Sequence, residues 1–267
     1  MMAVNTVERK TPAIIQISGL AKSYQAADGN PVQALRELNL EVETGSFVSI
    51  VGPSGCGKST LLKIVAGLLD HTEGEVLLHG QPINGPHHDI GVVFQQPTLL
   101  PWLTVLDNVL LPARVQRRKG PEIVQRAKQL LEMVGLGGFE RKYPNELSGG
   151  MQQRAGIVRA LVTDPHLLLM DEPFGALDAL TREQMNDELQ NIWMQQRKTV
   201  FFITHSIPEA VYLSDRVLVM SERPGRIIAD IPIELERPRR LETTGTPEFS
   251  EYATRIRALL NARGGID

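Results

Sequence analysis

An α/β fold built on a parallel sheet, with a mainly helical insertion in its middle, is what this sequence predicts. Two observations carry the prediction. Short apolar runs of strand type at residues 46–51 (SFVSIV), 166–171 (HLLLMD), 199–204 (TVFFIT) and 216–221 (RVLVMS) are separated by stretches of helical periodicity. Strands that alternate with helices in this way pack in parallel. Between residues 97 and 160 the strand signal stops, and apolar residues recur at three and four instead.

Along the chain, residues 14–17 form a short β-type run and 38–43 alternate apolar and polar, with a turn signal over 26–31 (AADGNP) between them. The run 46–51 reads as a buried strand. It leads into a glycine-rich loop and then into 58–69, where Leu61, Leu62, Ile64, Val65, Leu68 and Leu69 mark a helical face. Pro121 opens a helix that carries Val124, Ala127, Leu131 and Val134 on one side. A further helix after Ser148 presents Met151, Ala155, Val158 and Leu161. The helix between strands 166–171 and 199–204 is predicted to start at Thr181, with Gln184 three residues on in the capping-box pattern. The tail begins Pro- and Arg-rich. It ends in a short amphipathic helix with Thr246 as N-cap, Pro247 at the first position, and Phe249, Tyr252, Ile256 and Leu259 inward. These elements divide the chain into a core of 14–96 and 161–231, a helical subdomain of 97–160 and a tail of 232–267.

Of the 267 residues, 42% are hydrophobic and 22% charged, which supplies ample apolar content for a core. The net charge of -3 lacks the basic excess of a nucleic-acid-binding protein. Cys56 is the single cysteine, so no intrachain disulfide forms, which suits a reducing compartment. The first 19 residues lack the apolar core of a signal peptide, and no run of about 18 apolar residues occurs. A membrane role would therefore run through a partner.

Residues 52–60, Gly52-Pro53-Ser54-Gly55-Cys56-Gly57-Lys58-Ser59-Thr60, fit G-x-x-x-x-G-K-[ST] between a strand and a helix. Glycines let the backbone curl so that its N–H groups point inward, and the following helix adds its positive end. In such a loop Lys58 reaches the β- and γ-phosphates and the Ser59 hydroxyl ligates Mg²⁺. Cys56 reads either as a small filler or as a thiol made reactive by the helix N-terminus. The run 166–171 ends in Asp171 followed by Glu172, and propensity alone does not end a buried strand in paired acids. Beside a phosphate loop, the strand-end aspartate holds Mg²⁺ and the next carboxylate acts as general base on water. Ser148 can cap a helix whose free N–H groups form a second anion site with Gly149 and Gly150.

The run Leu147-Ser148-Gly149-Gly150-Met151-Gln152-Gln153-Arg154 closely resembles the signature motif of ABC (ATP-binding cassette) ATPases. The other motifs of that family stand in order: Tyr24 resembles the aromatic that stacks on adenine, Gln95 the Q-loop glutamine, Gly175-Ala176-Leu177-Asp178 the D-loop, and Thr204-His205 the switch histidine. The resemblance spans residues 14–230. It implies a P-loop NTPase with a RecA-like core, a small antiparallel β portion and an inserted α-helical subdomain. It also implies a head-to-tail dimer, with ATP on one copy's phosphate loop closed over by the other copy's Ser148, Gly149 and Gly150, flanked by Gln152 and Asp178. By the same resemblance Glu172 polarises the attacking water, His205 contacts the γ-phosphate, Lys58 holds the phosphates, and Gln95 links Mg²⁺ and water to a membrane partner. The expected metal ligands are thus Ser59, Gln95 and Asp171.

One departure stands out: many members have Asp after the switch histidine, where this chain has Ser206. Ser206 with Glu209 makes S-x-x-E, and Pro208 sits in the first turn, so the helix cap survives. The segments 85–95, 97–109, 209–217 and 223–227 together look like ATPases of the nitrate/sulfonate/taurine importer family. That likeness implies two copies on two permease subunits at the cytoplasmic face of the membrane, fed by a solute-binding protein. Trp102, with Leu99 and Leu103, reads either as core or as the apolar anchor of a permease-docking surface. The adjacent His87 and His88 lack the spacing of a metal site. The alternative is a soluble family member acting in repair or translation. Translation members usually carry two cassettes and repair members a long coiled-coil insertion, and neither is visible here.

Overall fold

The computed structural model describes residues 12–25, 30–175 and 177–262. Most of the predicted turn at 26–31, Ala176 of the D-loop and the last five residues of the tail lie outside these.

The chain opens with two strands much longer than their sequence signals, β1 (Ala13–Gln25) and β2 (Pro31–Glu43), paired antiparallel. A register shift between Ile17 and Leu20 breaks the alternation, with Gly19 and Glu37 at positive φ and the Gly19 N–H donating to Asn39 Oδ1 at 2.8 Å. A bulge of this kind erases the two-residue period by which a strand is read. β3 (Phe47–Val51) runs into α1 (Lys58–Val65). That helix stops four residues before Leu69: Gly67 N–H donates to Ile64 O and Leu68 N–H to Lys63 O, the paired bonds of a Schellman end. β4 (Glu73–Leu78) pairs with β1 and β5 (Gln81–Pro82) with β4, completing a four-stranded sheet of order β2-β1-β4-β5.

β6 (Ile90–Val93) is followed by four helices, α2 (Val105–Val109), α3 (Leu111–Val115), α4 (Pro121–Met133) and α5 (Gly149–Leu161). No strand of the described residues interrupts them, as the sequence predicts. Then come β7 (Leu167–Asp171), α6 (Ala179–Gln196), β8 (Thr199–Ile203), α7 (Ile207–Leu213), β9 (Arg216–Met220), β10 (Ile227–Pro232) and α8 (Pro247–Asn261). The cap of α6 is Asp178 rather than Thr181: its carboxylate accepts the Thr181 N–H at 3.0 Å and the Thr181 hydroxyl at 2.6 Å. Both residue types suit a cap, and a carboxylate three residues upstream starts the helix earlier.

The second sheet has the order β10-β9-β3-β8-β7-β6, parallel except for β10 on β9. Every residue of β3 and β8 is buried because both faces of the sheet are covered. Phe47, Val51, Leu168, Met170, Val200 and Phe202 join one core with the inserted helices and α6 to α8. Their neighbours Val48, Ile50, Leu167, Leu169, Phe201 and Ile203 join the other with α1 and the antiparallel sheet. Thr246 caps α8, whose Phe249 and Ile256 are buried with Tyr252 and Leu259 packed beside them. The tail is fastened by Arg239. Its buried guanidinium donates to Val211 O, Tyr212 O, Ser214 O, Ile233 O and Leu235 O, so it closes the carbonyl end of α7.

Candidate active site

The phosphate loop bends between β3 and α1. Gly57 takes φ 110, and a Cβ there would lie 2.6 Å from Leu35 Cδ2, so this position admits only glycine. Lys58 is 5% exposed, and its Nζ donates to Gly52 O at 2.9 Å and Pro53 O at 3.0 Å, which draws the ammonium into the curl of the loop. Ser59 Oγ donates to Asp171 Oδ1 at 3.0 Å and ties the loop to the end of β7. Tyr24 Oη lies 3.3 Å from Thr60 Oγ1, with Lys22 Nζ 5.3 Å from its ring centre. Cys56 is buried. Burial pushes its thiol up despite the nearby Lys58 ammonium, so the reactive-thiol reading gives way to the filler.

Glu172 leaves the strand at φ 43, a left-handed conformation that costs a non-glycine residue roughly 1–2 kcal/mol. Its N–H holds Ile203 O at 2.9 Å, so β8 maintains the turn. The turn brings Glu172 Oε2 within 3.2 Å of His205 Nδ1, a bond the Nδ1–H tautomer donates, and within 3.5 Å of Gln95 Nε2. Three predicted residues from three separate strand ends thus meet at one carboxylate. Behind His205, the Thr204 hydroxyl donates to Glu209 Oε2 at 2.6 Å and accepts the Ser206 N–H at 2.9 Å, while Ser206 Oγ accepts the Glu209 N–H. The predicted box is therefore half direct and half relayed through Thr204.

These groups surround a cleft of about 500 Å³, which Tyr24, Ser54, Lys58, Ser59, Thr60, Gln95, Glu172 and His205 all line. Burial lifts the Asp171 carboxyl above its usual range, and the Glu172 charge adds to the rise against the Ser59 hydrogen bond. A half-buried carboxylate beside a hydroxyl is a hard oxygen set that a divalent cation would relieve, so these residues fit Mg²⁺. Arg223, Val32 and Ala34 also line the cleft, and Arg223 donates to Gly55 O from Nε (3.2 Å) and Nη2 (3.0 Å). No motif in the sequence marks Arg223 as a cleft residue; it stands in the loop between β9 and β10.

The signature residues lie elsewhere. Ser148 caps α5, its Oγ accepting the Met151 N–H at 3.3 Å, and Ser148 and Gly149 are exposed. Gln152 Nε2 donates to Pro144 O at 2.9 Å and Leu147 O at 3.3 Å, and so braces the loop before the cap. None of Ser148, Gly149, Gly150, Gln152 and Asp178 lines the cleft of its own chain.

A strand-loop-helix phosphate cradle, a cluster of acid, amide and imidazole at its lip, and a capped SGG helix define the class of ABC ATPases. The ABC transporter family matches residues 35–175. An uncharacterized ABC transporter ATP-binding protein of Methanocaldococcus jannaschii is 52% identical over 92% of this chain and 91% of its own. The taurine import ATP-binding protein TauB of Rhizobium johnstonii is 46% identical over 93% of this chain and 97% of its own. The aliphatic sulfonates import ATP-binding protein SsuB of Bacillus cereus is 47% identical over 94% and 97%. A dimeric ABC transporter cassette superposes with TM-score 0.73 at 37% identity, covering 83% of this chain and 100% of that one. A post-hydrolysis cassette bound to ADP and Pi superposes with TM-score 0.72 at 36% identity over the same shares. The chain belongs to the ABC transporter family and is one of its ATPases.

Proposed function

We propose that this ATPase powers import of a small anionic solute, of sulfonate, taurine or nitrate type, through two permease subunits fed by a solute-binding protein. The observation that carries the reading is near end-to-end identity with import ATP-binding proteins, 46% and 47% over more than nine-tenths of both chains. It also speaks against a repair or translation role. No helix among the described residues is long and apolar enough to cross a membrane, so contact with the bilayer would come through the permease. The chain would then sit at the cytoplasmic face.

The chemistry follows from the cleft. Tyr24 stacks on the base, and Lys58 exchanges the Gly52 and Pro53 carbonyls for phosphate oxygens, joined by the N–H groups of residues 54–60. Ser59 and Asp171, with Gln95 beside them, would hold Mg²⁺, which would supply charge to neutralise the β- and γ-phosphates. Glu172 takes the proton of the water that attacks the γ-phosphorus, the bond to the β-phosphate oxygen breaks, and ADP and inorganic phosphate leave. His205 holds the Glu172 carboxylate and contacts the γ-phosphate. The exposed cap of α5, with Ser148, Gly149 and Gly150, belongs over the γ-phosphate of a second copy, and Gln152 and Asp178 shape that edge. A helix N-terminus there supplies anion-binding N–H groups where the single chain leaves its cleft open.

Coupling runs through Gln95. Next to it lies a shallow groove of about 360 Å³ lined by Phe94, Thr98, Leu111 and Val115. Phe94 is 39% exposed, Val115 76% and Trp102 70%, which removes the core reading for Trp102. Exposed apolar anchors beside a catalytic loop suit a permease helix laid in the groove. The test is co-purification from gently solubilised native membranes. A multi-span permease should co-purify with the wild type and be depleted with Trp102→Ala, with ATP affinity unchanged. Recovery of only soluble partners, or of a ribosome or repair complex, would replace this reading.

A further inference from the structure

A second cluster of ligating side chains lies at the opposite ends of the strands that deliver the catalytic groups. His79 sits in the turn between β4 and β5, held by its N–H to Ile14 O at 2.9 Å. Asp89 immediately precedes β6 and His166 immediately precedes β7. The Asp89 carboxylate lies between the two rings, with Oδ2 2.8 Å from His79 Nε2 and Oδ1 2.6 Å from His166 Nδ1. Its backbone is fixed, because Asp89 O accepts the Leu167 N–H at 3.2 Å and Oδ1 also accepts the His166 N–H at 3.2 Å. One ligand atom from each residue falls within 4.8 Å of the others, and among the described residues no other group of three His, Cys, Asp or Glu does so.

We propose that His79, Asp89 and His166 bind one divalent ion of the late transition series, such as Zn²⁺, which clips the antiparallel sheet to the six-stranded sheet. Two imidazoles and a carboxylate with an open fourth position are a known ligand set for Zn²⁺. Tetrahedral coordination at about 2.0–2.1 Å needs donor atoms roughly 3.3 Å apart, so the ligating Asp89 oxygen opens by about 0.5–0.7 Å from its ring nitrogen, now at 2.8 or 2.6 Å, and the two ring nitrogens close from within 4.8 Å. His79 and His166 are exposed enough to make that adjustment, with side chains 43% and 63% accessible, while Asp89 at 14% anchors the site. Imidazole donors select such ions over Mg²⁺, so the clip and the nucleotide site do not compete for one metal. The neighbouring His87 is outside the ligand set, since its Nδ1 accepts the Asp89 N–H at 3.2 Å. A clip here ties down the starts of β6 and β7, whose far ends lead to Gln95 and to Asp171 with Glu172.

The experiment uses tag-free, chelator-treated full-length protein without nucleotide. Zn²⁺ is followed by calorimetry and Co²⁺ by its visible absorption. The wild type should take one equivalent per chain at micromolar affinity or tighter, with a Tm rise of a few degrees from mass action. His79→Gln and His166→Gln should each weaken binding at least about tenfold and lose the Tm rise, while retaining Mg²⁺-dependent ATPase activity, which reports intact folding. His71→Ala, outside the cluster, should titrate as the wild type. Should either glutamine variant fail to fold, Asp89→Asn takes its place. Unchanged stoichiometry, affinity and Tm rise in the folded variants, or no saturable binding by the wild type, overturns the proposal.

Discussion

Substituting Gly225 by alanine tests how tightly the phosphate loop is held from behind. Gly225 lies between β9 and β10, where its N–H donates to Ala34 O at 2.9 Å and its carbonyl accepts the Arg36 N–H at 3.1 Å. A Cβ at this position would stand 2.1 Å from Cys56 O and 2.6 Å from Met220 Cε. Carbon–oxygen contact is comfortable near about 3.3 Å, so roughly 1 Å of movement is required. The Met220 methyl can swing aside. The Cys56 carbonyl cannot, because it belongs to the loop, and Gly225 cannot retreat without breaking its two bonds to β2. Overpacking of this sort costs about 1–3 kcal/mol, and a displacement near 1 Å at the phosphate site costs on the order of 10²-fold in rate. Steady-state ATPase kinetics and displacement of a fluorescent nucleotide should therefore show Gly225→Ala with kcat/KM reduced by about 30-fold or more. Its Tm should fall by several degrees. Wild-type kinetics together with a wild-type Tm would refute the claim that this contact sets the shape of the loop.

Further outcomes follow from the same structure. Arg239→Met leaves the carbonyls at the end of α7 and in the tail without their donor; urea unfolding should register a loss of about 3–5 kcal/mol, with nucleotide affinity kept in the folded fraction. The Thr104 hydroxyl and the Arg114 guanidinium hold the Asp107 carboxyl below its usual range. A depressed carboxyl contributes stability above its unfolded pKa and loses it as pH falls through the folded one. Asp107→Asn should thus destabilise at pH 7 by no more than about 1 kcal/mol, given its exposure, and the deficit should shrink in unfolding curves as pH falls from the ordinary carboxylate range through the lowered one.

Legibility in the sequence followed the distance over which each feature is built. The phosphate loop reads directly because residues 52–60 carry their own physics: curl, cation and hydroxyl in one contiguous stretch. β3, β7, β8 and β9 read directly because burial on both faces leaves their centres almost wholly apolar. The full lengths of β1 and β2 are not legible because bulges at Gly19 and Glu37 erase their alternation. The end of α1 is hidden in the sequence because Leu68 and Leu69 continue the apolar pattern past the Schellman turn. The meeting of Gln95, Glu172 and His205 was expected through family resemblance alone, since no spacing in the chain brings residues 77 and 33 positions apart to one carboxylate. The resemblance takes in residues 223–227 but assigns Arg223 no contact with Gly55 O, and it does not reach Arg239. Both are arginines in irregular segments, and their acceptors are backbone carbonyls, most of them more than twenty residues away, which leave no mark in residue type.

In the proposed mechanism Glu172 activates water in a site that a second copy closes. The most direct test is Glu172→Gln, a substitution that keeps the shape and removes the base, assayed for phosphate release and for mass in solution with Mg²⁺ and ATP. The account predicts turnover reduced by about 10²-fold or more, intact nucleotide binding, and an ATP-bound dimer that accumulates where the wild type turns over. Near-normal hydrolysis by Glu172→Gln, or an ATP-loaded variant that stays monomeric, would contradict it.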